Sequence, residues 1–440
     1  MKEVRKKSAD AAVNQMIAKA YREQVSLPWD RAEALQPQCG FGRLALCCTD
    51  CLEGPCRTNP FAETAQYTIC GREAKSLVAA QLLRKASDGA TALAKLAAEY
   101  GCKADASPWQ TIALTADCMI ADPEQFTKLG KAAAAALGGL AAQSKSGRKA
   151  TAAGMGVLET TKPNIVCHGH VPPKVVAALA KAAAETANVV AICGSEKVLP
   201  VATSYDSQEA ALLTGLVDLL VVGSQCVTPA MVALAAKLSI PVIPASALGA
   251  QRELKEAIAA AQTSFKRREG KAASVQPAAK ESYVGYDTIP PSKGLAYLGG
   301  CGNVAQTQDA QIVRVASYLV DNGYTVVTAG CAGTALAKAG MCDGKAVVNL
   351  GSCHDAGEFL ALAAKAQAGG VPVFAVMLEL THNKTLATAV ALAAQGIPTL
   401  TDLGEIRETG DMLEGKLRPI GDLKKLPEVL AELTRPATEV

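Results

Sequence analysis

Aromatic residues are scarce, at 4% of 440, and histidine is scarcer still, with four in the chain. The core must therefore be built from aliphatic side chains and alanine, and a hydrophobic share of 50% supplies them. That composition excludes disorder and collagen-like structure. An excess of one charge is also missing: 44 basic residues against 41 acidic ones leave a formal net charge of +3. Without a basic stripe to neutralise phosphates, nucleic acid is not an expected partner. The most apolar runs, such as 131–142, are alanine-rich and too short to span a bilayer, and Met1–Asp10 is charged with no apolar signal-like segment. The expectation is a cytoplasmic protein without membrane insertion. At about 150 residues per domain, two or three domains are expected.

Cysteine, by contrast, is abundant, at fifteen. In a reducing compartment these are seldom disulfides, so metal or redox chemistry is the expected use. The chain opens with helical spacing over Ser8–Gln38, followed by a cysteine-dense loop and helical stretches at Glu73–Tyr100, Trp109–Leu129 and Lys131–Gln143. No strand is expected in this first third. From about Lys162, short apolar strands alternate with alanine-rich helices, the rhythm of a parallel βαβ sheet. Lys266–Lys293 reads as a linker, after which the rhythm restarts. The predicted fold class is α/β with an N-terminal all-helical domain and two doubly wound, Rossmann-like parallel-sheet domains. The expected boundaries are 1–160 for the helical domain with its cysteine loop at 39–70, then 161–275 and 276–440 for the two α/β domains.

Within the loop, Cys48, Cys51, Cys56 and Cys70 combine two close thiolates on a tight turn with others arriving past Gly54-Pro55. Four thiolates around an iron–sulfur cube leave negative charge that backbone N–H groups must offset, which a glycine turn permits. A structural zinc ion with four cysteine ligands is the alternative. Cys39 and Cys47 lie beside this set, and two ligands are half of what a cube needs. Either two copies of the chain meet there and share one cluster, or the pair are buried free thiols.

The later cysteines recur at strand ends. Cys193, Cys226, Cys301, Cys331 and Cys353 each follow a predicted strand, and His168 and His170 follow Asn164–Val166. Ligands of open α/β sheets bind beyond the carboxyl ends of the strands. A lone buried cysteine is ordinarily a small hydrophobe, but five at equivalent positions point to a shared site. Five sulfurs and one imidazole exceed what one tetrahedral ion takes and suit a polynuclear cluster of soft metals. Lys384, beyond the strand Val371–Met377, is a candidate for holding an oxyanion or passing a proton. Cys102, Cys118, Cys167 and Cys342 have no partner in this scheme and are expected to be structural.

Cys39-Gly-Phe-Gly, Cys47-Cys48-Thr-Asp-Cys51-Leu-Glu-Gly-Pro-Cys56-Arg and Cys70-Gly resemble the N-terminal signature of the anaerobic nickel–iron carbon monoxide dehydrogenases. His168-Gly-His170, Gly-Gly-Cys301-Gly-Asn, Ala-Gly-Cys331-Ala-Gly and Gly-Ser-Cys353 resemble the segments that hold their active-site cluster. The resemblance runs in order from about residue 10 to 405. It implies that Cys39 and Cys47 hold a [4Fe–4S] cluster shared by a homodimer, and Cys48, Cys51, Cys56 and Cys70 one within the subunit. It further implies a nickel–iron–sulfur cluster on His170, Cys193, Cys226, Cys301, Cys331 and Cys353, with Cys353 on nickel and His170 and Cys193 on the outlying iron. Lys384 would be the acid/base lysine. The implied reaction converts a small gas, CO, with water to CO2, two protons and two electrons, reversibly, with a ferredoxin-like acceptor.

Two departures stand out. The chain is shorter than typical members, chiefly between Cys70 and His170 and in the linker. It also lacks the family's histidines on the helix after the cysteine loop, where Leu93 takes the place of one. That loss leaves two other functions open: a hybrid-cluster-like reductase of hydroxylamine or another small nitrogen species, and a non-catalytic electron-transfer protein.

Overall fold

In the computed structural model, residues 6–59, 61–102, 107–116, 123–142, 147–195, 197–268, 279–404 and 413–433 are described. They form two compact units: Met1–Ala34 with Ser144–Lys293 and Leu298–Ala356, and Leu35–Gln143 with Gly294–Tyr297 and Gly357–Val440.

The first unit is built on a four-stranded parallel sheet in the order Asn188–Cys193, Asn164–His168, Leu219–Val222, Val242–Pro244. Successive side chains on a strand face opposite sides, and here the two sides bury separate apolar layers. Val166, Val190, Ile192 and Leu220 join one layer with Met16 and Trp29. Ile165, Cys167, Val189, Leu219 and Val221 join the other, with Leu179, Leu254 and Ile258. The first layer takes in the helices Ala11–Arg22 and Pro28–Ala34. Asp10 caps the former by accepting from the Ala12 N–H, and Pro28 starts the latter, so the helical pattern of Ser8–Gln38 folds as two helices. At the amino ends of the strands, Asp218 accepts from the Asn164 N–H at 2.8 Å and pairs with Arg268 at 2.7 Å, fastening the Gln251–Arg268 helix to the sheet.

The second unit packs the helices Ala74–Glu99, Pro123–Ala142 and Asn383–Ala394 together beside the parallel strands Val373–Leu378, Thr399–Thr401 and Leu417–Pro419. The break expected after Leu129 is absent, and one helix runs through Gly130. A side chain at Gly130 would strike the Val390 carbonyl at 2.8 Å, so the glycine allows the neighbouring helix to come close rather than ending its own.

Three further expectations are corrected. The first third does contain strands: Cys47–Cys48 pairs antiparallel with Cys56–Arg57, and Lys149–Ala153 pairs with Lys280–Val284. The last of these lies in the stretch read as a linker, of which 269–278 fall outside the described residues. Lys149–Ala153 has no apolar side chain larger than alanine and Lys280–Val284 opens on two charged residues, and each is a strand because the other pairs with it. Cys39 is exposed and Cys47 half-buried, so they are not a buried thiol pair. Among the described residues, no helix is long and apolar enough to cross a membrane.

Candidate metal centre

All six strand-end ligand candidates lie in the first unit. His170, Cys193 and Cys226 leave the carboxyl ends of three parallel neighbours, and their donor atoms all lie within 4.8 Å of one another. Both His170 and Cys226 have left-handed backbone, with φ of 63° and 64°. That conformation costs a residue with a side chain on the order of 1–3 kcal/mol and is held only where its surroundings demand it. Cys353 reaches the same place from a single helical turn, Cys353–Asp355, its Sγ 3.6 Å from His170 Nε2. The turn is fixed by a capping box in which the Ser352 N–H donates to Asp355 Oδ2 at 2.7 Å.

Cys331 sits in the first turn of the helix Gly330–Lys338. Hydrogen bonds with Cys226 and then Cys331, followed by burial, push the Cys193 thiol well above its ordinary range. Three thiols so close cannot all ionise unless a cation joins them, which is what a bound metal cluster provides. Cys301 follows the strand Gly294–Gly300 and is buried. Burial, then the charges of Cys226, Asp206, Cys301 and Cys331, push the Tyr205 hydroxyl up to about 12, which puts Cys301 in the same electrostatic neighbourhood. The donor set therefore fits a multi-metal sulfur cluster.

His168, also singled out by the sequence, has a different task. Its Nε2 contacts Gln208 Oε1 at 3.0 Å and the Cys226 carbonyl at 3.1 Å, so it braces the Cys226 loop. Burial pushes the thiols of Cys167 and Cys342 up to about 12 and raises that of Cys102, consistent with inert structural cysteines. Cys118 lies outside the described residues.

The cysteine loop belongs to the second unit. Cys48 and Cys56 face each other across the short antiparallel pair. Donors point at three of its sulfurs: Arg72 Nη1 at 3.9 Å from Cys48, the Ile69 N–H at 3.5 Å from Cys56, and Thr68 Oγ1 at 3.2 Å from Cys70. The hydrogen bond from Thr68 lowers the Cys70 thiol, and the N–H groups of Gly42 and Phe41 lower that of Cys39. Burial instead raises Cys48. Arg72 is anchored by Asp50 at 2.7 Å, which also meets Arg84 at 3.3 Å and Gln81 at 3.2 Å. Neither Arg72 nor Asp50 was marked by spacing, although Arg72 follows Cys70-Gly71 directly.

Lys384 stands in the first turn of Asn383–Ala394, after the strand Val373–Leu378 of the second unit, and is 5% exposed. Leu93 is wholly buried in the Ala74–Glu99 helix.

A sequence model described as the Prismane/CO dehydrogenase family matches residues 103–405, more than half of the chain. Carbon monoxide dehydrogenase 2 of Carboxydothermus hydrogenoformans is 27% identical, over 89% of this chain and 90% of its own. That alignment occupies 572 positions against the 440 residues here, so the relative carries long segments that this chain lacks. Among solved structures, carbon monoxide dehydrogenase IV from the same organism superposes with a TM-score of 0.82 at 22% identity, covering 98% of each chain. A nickel-free carbon monoxide dehydrogenase from Thermococcus sp. AM4 gives 0.86 at 21%, covering 98% of this chain and 96% of its own. These structural likenesses share the fold, and the family match decides the affiliation. The chain belongs to the Prismane/CO dehydrogenase family.

Proposed function

We propose that this protein is an anaerobic, cytoplasmic carbon monoxide dehydrogenase that converts CO and water to CO2, two protons and two electrons, reversibly. The observation that carries the reading is the convergence of His170, Cys193, Cys226, Cys331 and Cys353. With Cys301, these residues would hold a nickel–iron–sulfur cluster. When bound, such a cluster supplies a binding site for CO, an activated water and a store for two electrons.

The chain's own groups do the rest. His170, Cys193 and Cys301 are buried, and charges held among buried groups interact more strongly than in water. Lys384 would be the acid/base lysine, its ammonium group suited to stabilising negative charge and exchanging a proton. Cys48, Cys51, Cys56 and Cys70 would hold a [4Fe–4S] cluster, supported by the donors aimed at three of their sulfurs. Cys39 and Cys47 would share another with a second copy of the chain. Leu44, Leu52, Phe61 and Ile69, from the same stretch of chain, are exposed apolar side chains that a second copy could cover. A ferredoxin-like protein would accept the electrons.

Leu93 favours a second reading. A buried aliphatic side chain moves no protons, and a hybrid-cluster-like reductase of hydroxylamine or another small nitrogen species would use the same ligands. Anaerobically prepared protein separates the two. About one nickel per chain with CO-dependent viologen reduction supports the first; iron without nickel, with hydroxylamine consumption, supports the second. Intact clusters with neither activity would indicate a non-catalytic electron carrier.

A further inference from the structure

We infer that His354 is a positioning residue for His170, fixing its tautomer so that Nε2 is the atom offered to the metal. The inference rests on the metal-centre reading above. His170 and His354 are both buried, at 0% and 5% exposure, and their Nδ1 atoms lie 3.2 Å apart. The ring centroids are 5.2 Å apart and the planes tilted by 56°, so the rings meet at their edges rather than stacking. On its other side, His170 Nε2 faces Cys353 Sγ at 3.6 Å.

One proton must sit between the two Nδ1 atoms. If His170 carries it, His170 donates to His354, and the Nε2 lone pair is free for a metal. If His354 carries it, a neutral His170 is protonated on Nε2 and cannot ligate. Only the first arrangement is compatible with His170 as a ligand, and it makes His354 the acceptor, with its own proton on Nε2. Ligating histidines ordinarily donate their second N–H to a carboxylate or a carbonyl. A carboxylate here would add negative charge beside five cysteine sulfurs, whereas a neutral imidazole orients His170 without doing so. Because His354 shares the capped turn of Cys353, it also ties together two ligands that are 183 residues apart.

The test compares His354→Leu, which cannot accept, with His354→Asn, whose side-chain oxygen can take the place of Nδ1. All proteins are purified anaerobically and checked for folding by circular dichroism. Pulsed EPR of the reduced, paramagnetic centre reads coupling to a histidine nitrogen, and competition with a chelator reads how tightly the iron at His170 is held. For His354→Leu, we expect the nitrogen coupling to disappear from most centres and the affinity for that iron to fall roughly 10–100-fold. The Asn variant should restore both to near wild type. Wild-type coupling and affinity in a folded Leu variant would overturn the inference alone. A wild-type centre without histidine-nitrogen coupling would overturn the metal-centre reading and the inference with it. If the Leu variant does not fold, Asn decides: lost coupling in a folded Asn variant contradicts the acceptor role, and retained coupling upholds it.

Discussion

Cys353 Sγ and His170 Nε2 stand 3.6 Å apart although 183 residues separate them in the chain. Two strand-end loops that share no local sequence thus deliver soft donors to one point. The consequences can be tested at individual side chains.

Cys193→Ala should abolish nickel binding and lower activity at least a hundredfold, because Cys193 touches both Cys226 and Cys331. Cys167→Ala, buried in the apolar layer of the same sheet, should keep its metal and lose on the order of 1 kcal/mol of stability. Metal analysis and denaturant unfolding of the two variants make the comparison. Equal metal loss in both would contradict the assignment.

Gly330 and Gly340 both have left-handed backbone, with φ of 65° and 75°. A side chain at Gly330 would lie 2.6 Å from Cys353 Cβ, whereas one at Gly340 would meet nothing within 4 Å. Alanine at Gly340 should therefore cost only backbone strain, about 1 kcal/mol. Alanine at Gly330 should add displacement of Cys353 and a several-fold drop in bound nickel, read by metal analysis.

The ion pair of Arg72 with Asp50 is largely buried. Burial alone would raise the Asp50 carboxyl, but hydrogen bonds from Arg72 and Cys48 and the charges of Arg84 and Arg72 bring it below its usual value. Arg72→Met should destabilise the protein by roughly 3 kcal/mol, the lower end for a broken buried pair, since Arg84 remains. It should also lower the reduction potential of the loop cluster, because a cationic donor to Cys48 is lost. Unfolding curves and an EPR redox titration read the two effects.

Asp206 is buried, and that burial, then the charge of Asp309, raise its carboxyl to about 7, with Lys338 opposing. A raised folded-state value favours the protonated form of the folded protein. Its contribution to stability is complete below about pH 4 and is lost as pH rises through about 7. Asp206→Asn should accordingly gain on wild type across that window and run parallel to it above pH 8. A constant difference between pH 4 and 8 would show that Asp206 does not titrate in this way.

Much of this arrangement was legible in the sequence because it is written locally. An apolar strand followed by Gly-Cys or His-Gly-His declares both the element and the end that carries the ligand, and the observed strand Asn164–His168 begins at the expected residue. The pair Lys149–Ala153 and Lys280–Val284 was not legible, because its hydrogen bonds join segments far apart in the chain and neither has a strong apolar pattern. Pro123–Ala142 hid its continuity behind a glycine that serves a neighbouring helix. Arg72 and His354 act on sulfur or imidazole across space, so only the folded chain shows what they touch.

The central claim is that one cluster is held by His170 and five cysteines of the first unit. Anomalous diffraction from anaerobically grown crystals, recorded at the iron and nickel edges, tests it most directly. The account predicts overlapping iron and nickel peaks within bonding distance of His170 Nε2 and the sulfurs of Cys193, Cys226, Cys301, Cys331 and Cys353. A single zinc peak there, or iron and nickel located away from these six residues, would contradict it.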